Sequence, residues 1–311
     1  MCVFCGTFIS RKKQELFSKQ YVFIGVTMSQ AVELRGLMYP PIFFDVWYNI
    51  NPQMRETLRS GKKIDKVLAF EQWMRSVFLL QNFGVKLYYP PAHPDFPDMT
   101  FAANAGFPNN GGMILSNFRH PERRGESAEV RSYFSQILGI PVTALPLVSR
   151  GSPVFFEGQG DALWYGNTLI CGYGFRSNKT GVMEIHGSTR WGRFVSLELT
   201  HEHFYHLDTC FCPLGEDILW YPPAFSHDSR TEVESIISKT GNLVEASEED
   251  AMRLACNGIY FSFGGRRVLI TSPMSLDLRL KIEKLGVEVW GNNVSEFLKS
   301  GGGNKCLFLS F

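Results

Sequence analysis

The sequence predicts an α/β protein of about five strand–helix–strand modules arranged radially around one axis. Two repeating patterns indicate this fold class. A helix-like segment that ends at a glycine and is followed by a strand-like segment recurs along the chain. Apolar segments that end on a polar or reactive residue also recur, about every 50 residues. Equivalent strand ends in a radial array point at the axis, so residues fifty apart would share one pocket.

The helical pattern is clearest where apolar residues recur at a spacing of three and four before a glycine. Glycine ends helices well because it takes the left-handed conformation without a steric cost. The predicted helices with their following strands are 66–84 before 85–89, 128–139 before 142–145, 230–241 before 243–246, and 276–286 before 287–290. A fifth helix-like segment, 188–203, lacks the terminal glycine.

The second pattern consists of six apolar segments predicted as strands: 43–51, 99–104, 154–161, 204–208, 255–261 and 305–311. One polar or reactive residue marks each of them: Asn51, Asn104, Glu157, His206, Asn257 and Cys306. The first and last markers would share a module, which closes the ring. Periodicity alone leaves a chance spacing open.

Composition excludes several classes of protein. The 311 residues carry a formal net charge of +1, so nothing indicates nucleic acid or an anionic membrane as a partner. No apolar run approaches the roughly 20 residues that cross a bilayer. Seven cysteines, an odd number in a long chain, indicate a reducing compartment rather than a disulfide framework. We therefore expect a cytoplasmic protein.

The chain divides into an N-terminal extension, residues 1–34, and a single domain, residues 35–311. The extension is expected to be disordered. Its basic residues Arg11, Lys12, Lys13 and Lys19 resemble the bias of a transit peptide, so a targeting role stays open.

Cys306 is the first candidate for chemistry. It follows three glycines, 301–303, and opens an apolar segment, where a nucleophile would be exposed. Lys305 beside it would lower the pKa of the thiol. A buried core cysteine after a flexible turn is the alternative interpretation.

His206 and Asp208 alternate with apolar residues and would share one strand face, which suits a general acid/base with a carboxylate neighbour. A structural core histidine is the alternative. A zinc site is a further alternative, but the spacing of the candidate ligands does not match zinc motifs, and we expect no metal. These ligands are His201, His203, His206, Cys210 and Cys212.

Glu157 and Asp161 surround two glycines after an apolar strand. Carboxylates bind a planar guanidinium through paired hydrogen bonds, so these acids are candidates for a cation clamp. A tight turn with solvated acids is the alternative. No phosphate-binding glycine loop is present, which argues against a nucleotide ligand.

Three motifs occur in order: Glu-Gly-x-Gly-Asp at 157–161, His-Leu-Asp-Thr at 206–209, and Gly-Gly-Gly-x-x-Cys at 301–306. Together they resemble the guanidine-modifying superfamily of arginine deiminases, dimethylarginine dimethylaminohydrolases and amidinotransferases. The resemblance covers residues 37–311 and is greatest to a bacterial branch of arginine dihydrolases and dimethylargininase-like proteins. Further matching segments are 43–46, 50–52, 101–106, 118–123, 172–176 and 205–211. Gln53 departs from the pattern, since a tryptophan is expected after Asn-Pro.

The resemblance implies a pseudo-five-fold α/β propeller and assigns roles to individual residues. Cys306 matches the nucleophile, His206 the general acid/base, and Glu157 the motif acid, although the extra residue leaves Glu157 and Asp161 ambiguous. Asn104 lies where deiminases carry a guanidinium-binding aspartate. The other substrate-binding candidates are Asn51, Asp161, Asp208, Arg119, Arg123 and Arg176, of which Arg123 and Arg176 match positions that hold a substrate carboxylate.

The expected function is cysteine-dependent hydrolysis of a guanidino substrate, most simply arginine, through a covalent intermediate on Cys306. The product would be ornithine, with release of ammonia and carbon dioxide, or citrulline. Two alternatives are dimethylarginine hydrolysis and amidino transfer to an amine. No metal or organic cofactor is expected. The only expected partner is the small-molecule substrate, and a homo-oligomer is left open.

Overall fold

The computed structural model describes residues 21–22, 34–188, 192–237 and 239–311. The extension predicted for residues 1–34 therefore lies almost wholly outside the described residues. Within the described part of the chain, no helix is long and apolar enough to cross a membrane.

Short strands alternate with helices along the chain. The strands are β1 (Tyr21–Val22), β2 (Arg35–Leu37), β3 (Lys86–Tyr88), β4 (Gly106–Asn109), β5 (Gly112–Leu115), β6 (Val142–Thr143), β7 (Val148–Ser149), β8 (Ser152–Pro153), β9 (Ala162–Tyr165), β10 (Thr168–Tyr173), β11 (Arg193–Glu198), β12 (Phe211–Leu214), β13 (Asp217–Trp220), β14 (Leu243–Glu245), β15 (Ile259–Phe263), β16 (Arg266–Thr271), β17 (Val287–Gly291) and β18 (Leu309–Ser310). The helices are α1 (Pro52–Arg59), α2 (Lys66–Asn82), α3 (Pro121–Arg124), α4 (Glu126–Ser132), α5 (Lys179–Ser188), α6 (His227–Ile236), α7 (Glu248–Met252), α8 (Leu276–Lys284) and α9 (Ser295–Leu298).

Five three-stranded sheets repeat one topology. Two antiparallel strands form the first pair, and a third strand runs parallel to the second after a helical crossover. The sheets are β18, β2 and β3; β4, β5 and β6; β9, β10 and β11; β12, β13 and β14; and β15, β16 and β17, to which β1 adds. The crossover helices are α2, α4, α5, α6 and α8. This repeat confirms the predicted strand–helix–strand modules of the pseudo-five-fold propeller.

The first module is built from both ends of the described domain. Strand β18 pairs antiparallel with β2, and β2 pairs in parallel with β3. The ring is thus closed by hydrogen bonds between the last strand and the first, as the shared marker positions predict.

Local sequence explains where the crossover helices begin and end. Asp65 caps α2 by accepting a hydrogen bond from the backbone of Leu68, and Ser275 does the same for α8. Gly84 and Gly286 follow these helices with positive φ angles of 77° and 76°. A side chain at either position would be strained, so these glycine stops are confirmed.

Two expectations about secondary structure are wrong. Segment 188–203, read as a helix, contains strand β11, whose residues alternate between exposed and buried with a period of two. Of the six marker segments, only 255–261 and 305–311 overlap a strand, and the others are irregular or form short 3₁₀ turns such as Leu207–Thr209. Leaving the sheet lets the backbone turn polar side chains toward the axis.

An aromatic cluster lies next to the axis. The ring of Phe44 stacks on Phe297 with a centroid distance of 5.0 Å and meets Phe101 edge-on at 5.7 Å. All three rings are buried. This packing fixes the 3₁₀ turns around residue 100 and, with them, one wall of the candidate site.

Candidate active site

The inner ends of the modules enclose a cavity with an empty volume of about 240 Å³. Six residues proposed from the sequence line it: Asn51, Asn104, Arg123, Arg176, His206 and Cys306. They come from segments up to 255 residues apart in the chain. The radial fold therefore brings four of the six marker residues, Asn51, Asn104, His206 and Cys306, to one cavity.

The sulfur of Cys306 is buried at the cavity wall. It accepts a hydrogen bond from Asn257 Nδ2 at 3.1 Å and lies 3.4 Å from Asp208 Oδ2, to which the thiol donates. Burial, followed by the charge of Asp208, raises the pKa of the Cys306 thiol well above its ordinary value. The site of the free protein therefore favours the thiol over the thiolate.

Lys305 donates its hydrogen bonds to groups other than the Cys306 thiol, although the charges of the two side chains interact. Its Nζ donates to Gln159 Oε1 at 2.9 Å and to the carbonyl of Phe308 at 3.1 Å. Burial lowers the pKa of Lys305, and Asp208 opposes that effect. The lysine charge therefore faces Asp208, and burial decides the state of the Cys306 thiol.

His206 is held by Glu157. The distance between His206 Nε2 and Glu157 Oε2 is 2.8 Å, and both side chains are buried. Glu157 also accepts from Arg176 at 3.2 Å and from the backbone N–H of Arg119. Burial raises the pKa of Glu157, but Arg176 and His206 together bring it below its ordinary value. Glu157 is therefore a carboxylate that orients the imidazole.

Asp161 lies behind the histidine segment and outside the cavity lining. Its Oδ2 accepts from Ser177 Oγ at 2.6 Å and its Oδ1 from the backbone N–H of Leu207 at 3.0 Å. Burial raises the pKa of Asp161 to about 6, against a lowering by His206. The expectation of a direct clamp by Glu157 and Asp161 differs from this arrangement, because neither residue belongs to the cavity lining.

Asn104 and Arg123 form one side of the cavity. Arg123 Nη1 donates to Asn104 Oδ1 at 3.0 Å, and Asn104 Nδ2 approaches the carbonyl of Glu157 at 3.5 Å. Arg123 also binds Glu126 through Nε and Nη2, both at 2.8 Å. Because this guanidinium already makes four hydrogen bonds, counting its contact with the Asp98 carbonyl, much of its capacity is used within the protein.

Arg176 and Arg119 have different positions. Arg176 lines the cavity over the ring of Tyr205, at 4.5 Å from the centroid, and donates to Glu157 and to the carbonyl of Ile50. Arg119 lies outside the cavity lining, and its Nη1 donates to the carbonyl of Gly174 at 3.3 Å. Only Arg176 and Arg123 of the three arginines therefore border the candidate substrate space.

Asp98 is a cavity residue that the sequence reading missed. Its Oδ2 accepts from Tyr48 Oη at 2.7 Å and its Oδ1 from Ser300 Oγ at 3.2 Å. Burial raises the pKa of Asp98, although Arg123 lowers it. An acid directly before the apolar segment 99–104, six residues before Asn104, was the available signal.

Asn51 and Asp208 complete the residues proposed from the sequence. Asn51 caps α1 by accepting from the backbone of Met54, and its Nδ2 donates to the carbonyl of Ser300 at 2.9 Å. Asp208 borders a second, largely apolar cavity of about 710 Å³ as well as the Cys306 sulfur. Its buried Oδ1 has no hydrogen-bond partner among the residues that the structure describes. Burial raises the pKa of Asp208 to about 7, against a lowering by Lys305.

The three glycines before Cys306 are needed for close packing. A Cβ on Gly302 would overlap the ring of Phe101, and one on Gly303 would come within 2.7 Å of Asn257 Oδ1. Gly301 has a φ of +84°. The glycine run thus brings the Cys306 backbone against two other modules.

We expect Gly302→Ala to lower both stability and activity. Phe101 cannot move aside because it packs edge-on against Phe44, so the overlap should cost about 1–3 kcal/mol of unfolding free energy. Thermal unfolding and initial rates measure the effect. Gly291→Ala is the matched control, because nothing lies within 4 Å of its added Cβ. Equal melting temperatures for the two variants would contradict this account of the glycine run.

The described part of the chain lacks a cluster of side chains that could hold a metal ion. Residues 34–188, 192–237 and 239–311 contain no group of three or more His, Cys, Asp or Glu side chains placed to hold a metal ion. Cys2 and Cys5 lie outside the described residues.

Known proteins match this chain over most of its length. It is 37% identical over 284 residues to the bifunctional arginine dihydrolase/ornithine cyclodeaminase ArgZ of Synechocystis, covering 90% of this chain and 38% of ArgZ. It is 34% identical to the N(G),N(G)-dimethylarginine dimethylaminohydrolase of Mycobacterium tuberculosis, covering 88% of this chain and 85% of that protein. No family model matches the sequence.

The structure also matches the N-terminal domain of ArgZ, solved as a cysteine-to-serine mutant bound to substrate. The TM-score is 0.80 at 36% identity, covering 89% of this chain and 98% of that domain. The chain spans about two fifths of the length of the bifunctional relatives. It belongs to the guanidine-modifying, or pentein, superfamily, in the branch of the arginine dihydrolases and dimethylarginine dimethylaminohydrolases. The resemblance read from the sequence is thereby confirmed.

Proposed function

We propose that the protein hydrolyses arginine through a covalent amidino intermediate on Cys306 and releases ornithine. One observation carries the proposal: a single cavity brings together the Cys306 thiol, the His206–Glu157 pair and the neutral amide of Asn104. The match to a substrate-bound arginine dihydrolase domain supports the choice of substrate.

The first step needs a thiolate in a site that favours the thiol. A bound guanidinium places a positive charge beside Cys306 Sγ, which favours the thiolate by opposite-charge stabilisation. The thiol proton passes to His206, and Sγ bonds to the guanidinium carbon. His206 then gives that proton to the departing nitrogen, which leaves as ammonia. The amidino group remains bonded to Cys306 and keeps its positive charge.

Water completes the first round. His206, neutral again, takes a proton from the attacking water, and the C–S bond breaks as the ureido product forms. A second round on this product consumes another water and gives ornithine, ammonia and carbon dioxide. In sum, arginine and two waters yield ornithine, two ammonia and one carbon dioxide.

Asn104 is the residue that we propose retains the ureido intermediate. A carboxylate at this position would only accept hydrogen bonds and would repel a ureido oxygen, whereas an amide also donates. The Asn104 amide already accepts from Arg123 and faces the Glu157 carbonyl, so its orientation is set. A neutral wall should bind arginine less tightly than an acidic wall, which is compatible with a high KM.

The remaining groups suit the rest of an amino acid. We assign the substrate carboxylate to the unused donors of Arg176, with Arg123 contributing charge. Asp98 supplies the carboxylate for a cationic part of the substrate, since its burial in the cavity makes an opposite charge favourable. Asp161 supports the His206 segment, and Asp208 lies at the reacting sulfur.

We expect two ammonia per ornithine when arginine is consumed. The measurement is a time course that quantifies arginine, citrulline, ornithine and ammonia together. Asn104→Asp should shift the product toward citrulline, because the acid repels the ureido oxygen. Citrulline accumulating at one-to-one with ammonia in the wild-type protein would refute the dihydrolase proposal.

A second candidate is hydrolysis of dimethylarginine, favoured by the extensive match to the mycobacterial enzyme. Ala103, beside Asn104, offers no second acid to clamp a methylated guanidinium. Release of dimethylamine from dimethylarginine, with arginine unchanged, would select this candidate. Transfer of the amidino group to an added amine would select an amidinotransferase.

A cytoplasmic location and a homo-oligomeric state remain proposals to be tested by fractionation and light scattering.

A further inference from the structure

Asn257 is a marker residue whose role the mechanism above leaves unassigned. It is 0% exposed and lies two residues before β15. A fully buried amide at such a place needs partners for every polar atom.

All the hydrogen-bonding groups of the Asn257 amide are used. Its Oδ1 accepts from the backbone N–H groups of Lys305 at 2.9 Å and Cys306 at 3.2 Å. Its Nδ2 donates to the carbonyl of Asp208 at 2.9 Å and to Cys306 Sγ at 3.1 Å. Two backbone donors on the oxygen and a carbonyl acceptor on the nitrogen fix the orientation of the amide. An N–H bond must therefore point at the sulfur.

We propose that Asn257 is a catalytic residue that donates a hydrogen bond to the Cys306 sulfur in its thiolate state. This inference rests on the proposed role of Cys306 as the nucleophile. The donor stabilises the anion before attack on the guanidinium carbon. It acts again when the C–S bond breaks and the electron pair returns to sulfur. In the covalent intermediate the sulfur carries no negative charge, so the bond is strongest where the reaction needs it.

The charged surroundings make this donor important. Asp208 faces the sulfur from the His206 segment and disfavours a thiolate, while Lys305 lies next to it in the chain. His206 and Tyr205 face the same cavity. Two neutral donors oppose burial in setting the thiol pKa: the backbone N–H of Gly303 and, after it, the side chain of Asn257, whose N–H is aimed at the sulfur.

The test is the pH dependence of Cys306 alkylation in the absence of substrate. Iodoacetamide labelling of the Cys306 peptide, followed by mass spectrometry, separates it from the other buried cysteines. We expect Asn257→Ala to slow Cys306 labelling about 10- to 100-fold at each pH below the thiol pKa, the equivalent of one hydrogen bond to a charged group. The kcat should fall about 10- to 100-fold with a smaller change in KM.

Two further variants separate catalysis from structure. Asn257→Asp keeps an acceptor for the Lys305 and Cys306 backbones but loses the donor, so it should slow Cys306 labelling at least as much. Asn292→Ala is the matched control: Asn292 is equally buried, but its Nδ2 donates to Ser76 and Asn304 instead. It should leave the labelling profile unchanged.

An unchanged labelling profile in Asn257→Ala and Asn257→Asp, with turnover intact in the wild type, would overturn the role of Asn257 alone. A wild-type protein that turns over no guanidino compound would instead count against the proposed function. Should Asn257→Ala fail to fold, Asn257→Asp decides the question, because it preserves the size of the buried side chain.

Discussion

Cys306→Ser is expected to fold normally and to lose activity by about four orders of magnitude or more, the scale seen when an enzyme loses its nucleophile. The sulfur and its neighbours explain the size of the effect. A serine hydroxyl titrates far above a thiol and attacks a delocalised guanidinium carbon poorly. Asn257 and Asp208 would still hydrogen-bond the smaller oxygen, so the fold should persist.

The measurement combines initial rates with intact-protein mass after acid quench. An adduct with the mass of arginine less ammonia should appear on the wild-type protein and not on Cys306→Ser. Cys212→Ser is the matched control, since Cys212 is also 3% exposed but borders the second cavity. Turnover of Cys306→Ser within tenfold of the wild type would remove Cys306 from the mechanism.

His206→Ala should lower kcat about 10²- to 10⁴-fold, the contribution of a general acid/base. One side chain must protonate the leaving ammonia and later deprotonate water, so both halves of the reaction should slow. Glu157→Gln should give a smaller loss, because it keeps the side-chain shape but removes the charge that orients His206 Nε2. The two variants therefore separate proton transfer from orientation of the ring.

Steady-state rates across pH 5–10 provide the measurement for His206→Ala. His203→Ala is the control within the same segment, because its ring packs against His201 and does not line the cavity. A His206→Ala protein that retains at least a tenth of wild-type kcat would assign proton transfer to another group.

The sequence predicted the parts of the fold that depend on local chemistry. The glycine stops at Gly84 and Gly286 need a left-handed residue, and the interval of about 50 residues reflects one module per repeat. Periodicity failed over β11, where a period-two strand was read as a helix. Such short segments contain too few residues to separate the two periods.

The sequence predicted those site residues that belong to the fifty-residue repeat or to one of the motifs. Cys306 and His206 were found because each marks one of the repeated apolar segments and lies in a recognisable motif. Asp98 was missed because its cavity position depends on Tyr48 and Ser300, which approach it from distant parts of the chain. Asp161 was placed against the substrate because sequence order cannot show that Ser177 and Leu207 already bind its carboxylate.

The pairing of β18 with β2 has a kinetic consequence. It joins segments about 270 residues apart, whereas hairpins such as β12 with β13 join neighbours. Distant contacts form late because the intervening chain must first be ordered. Cys306 lies just before β18, so the nucleophile reaches its place only when the ring closes. Recovery of activity after denaturation should therefore lag behind recovery of secondary structure. The length of this delay measures how long the ring takes to close.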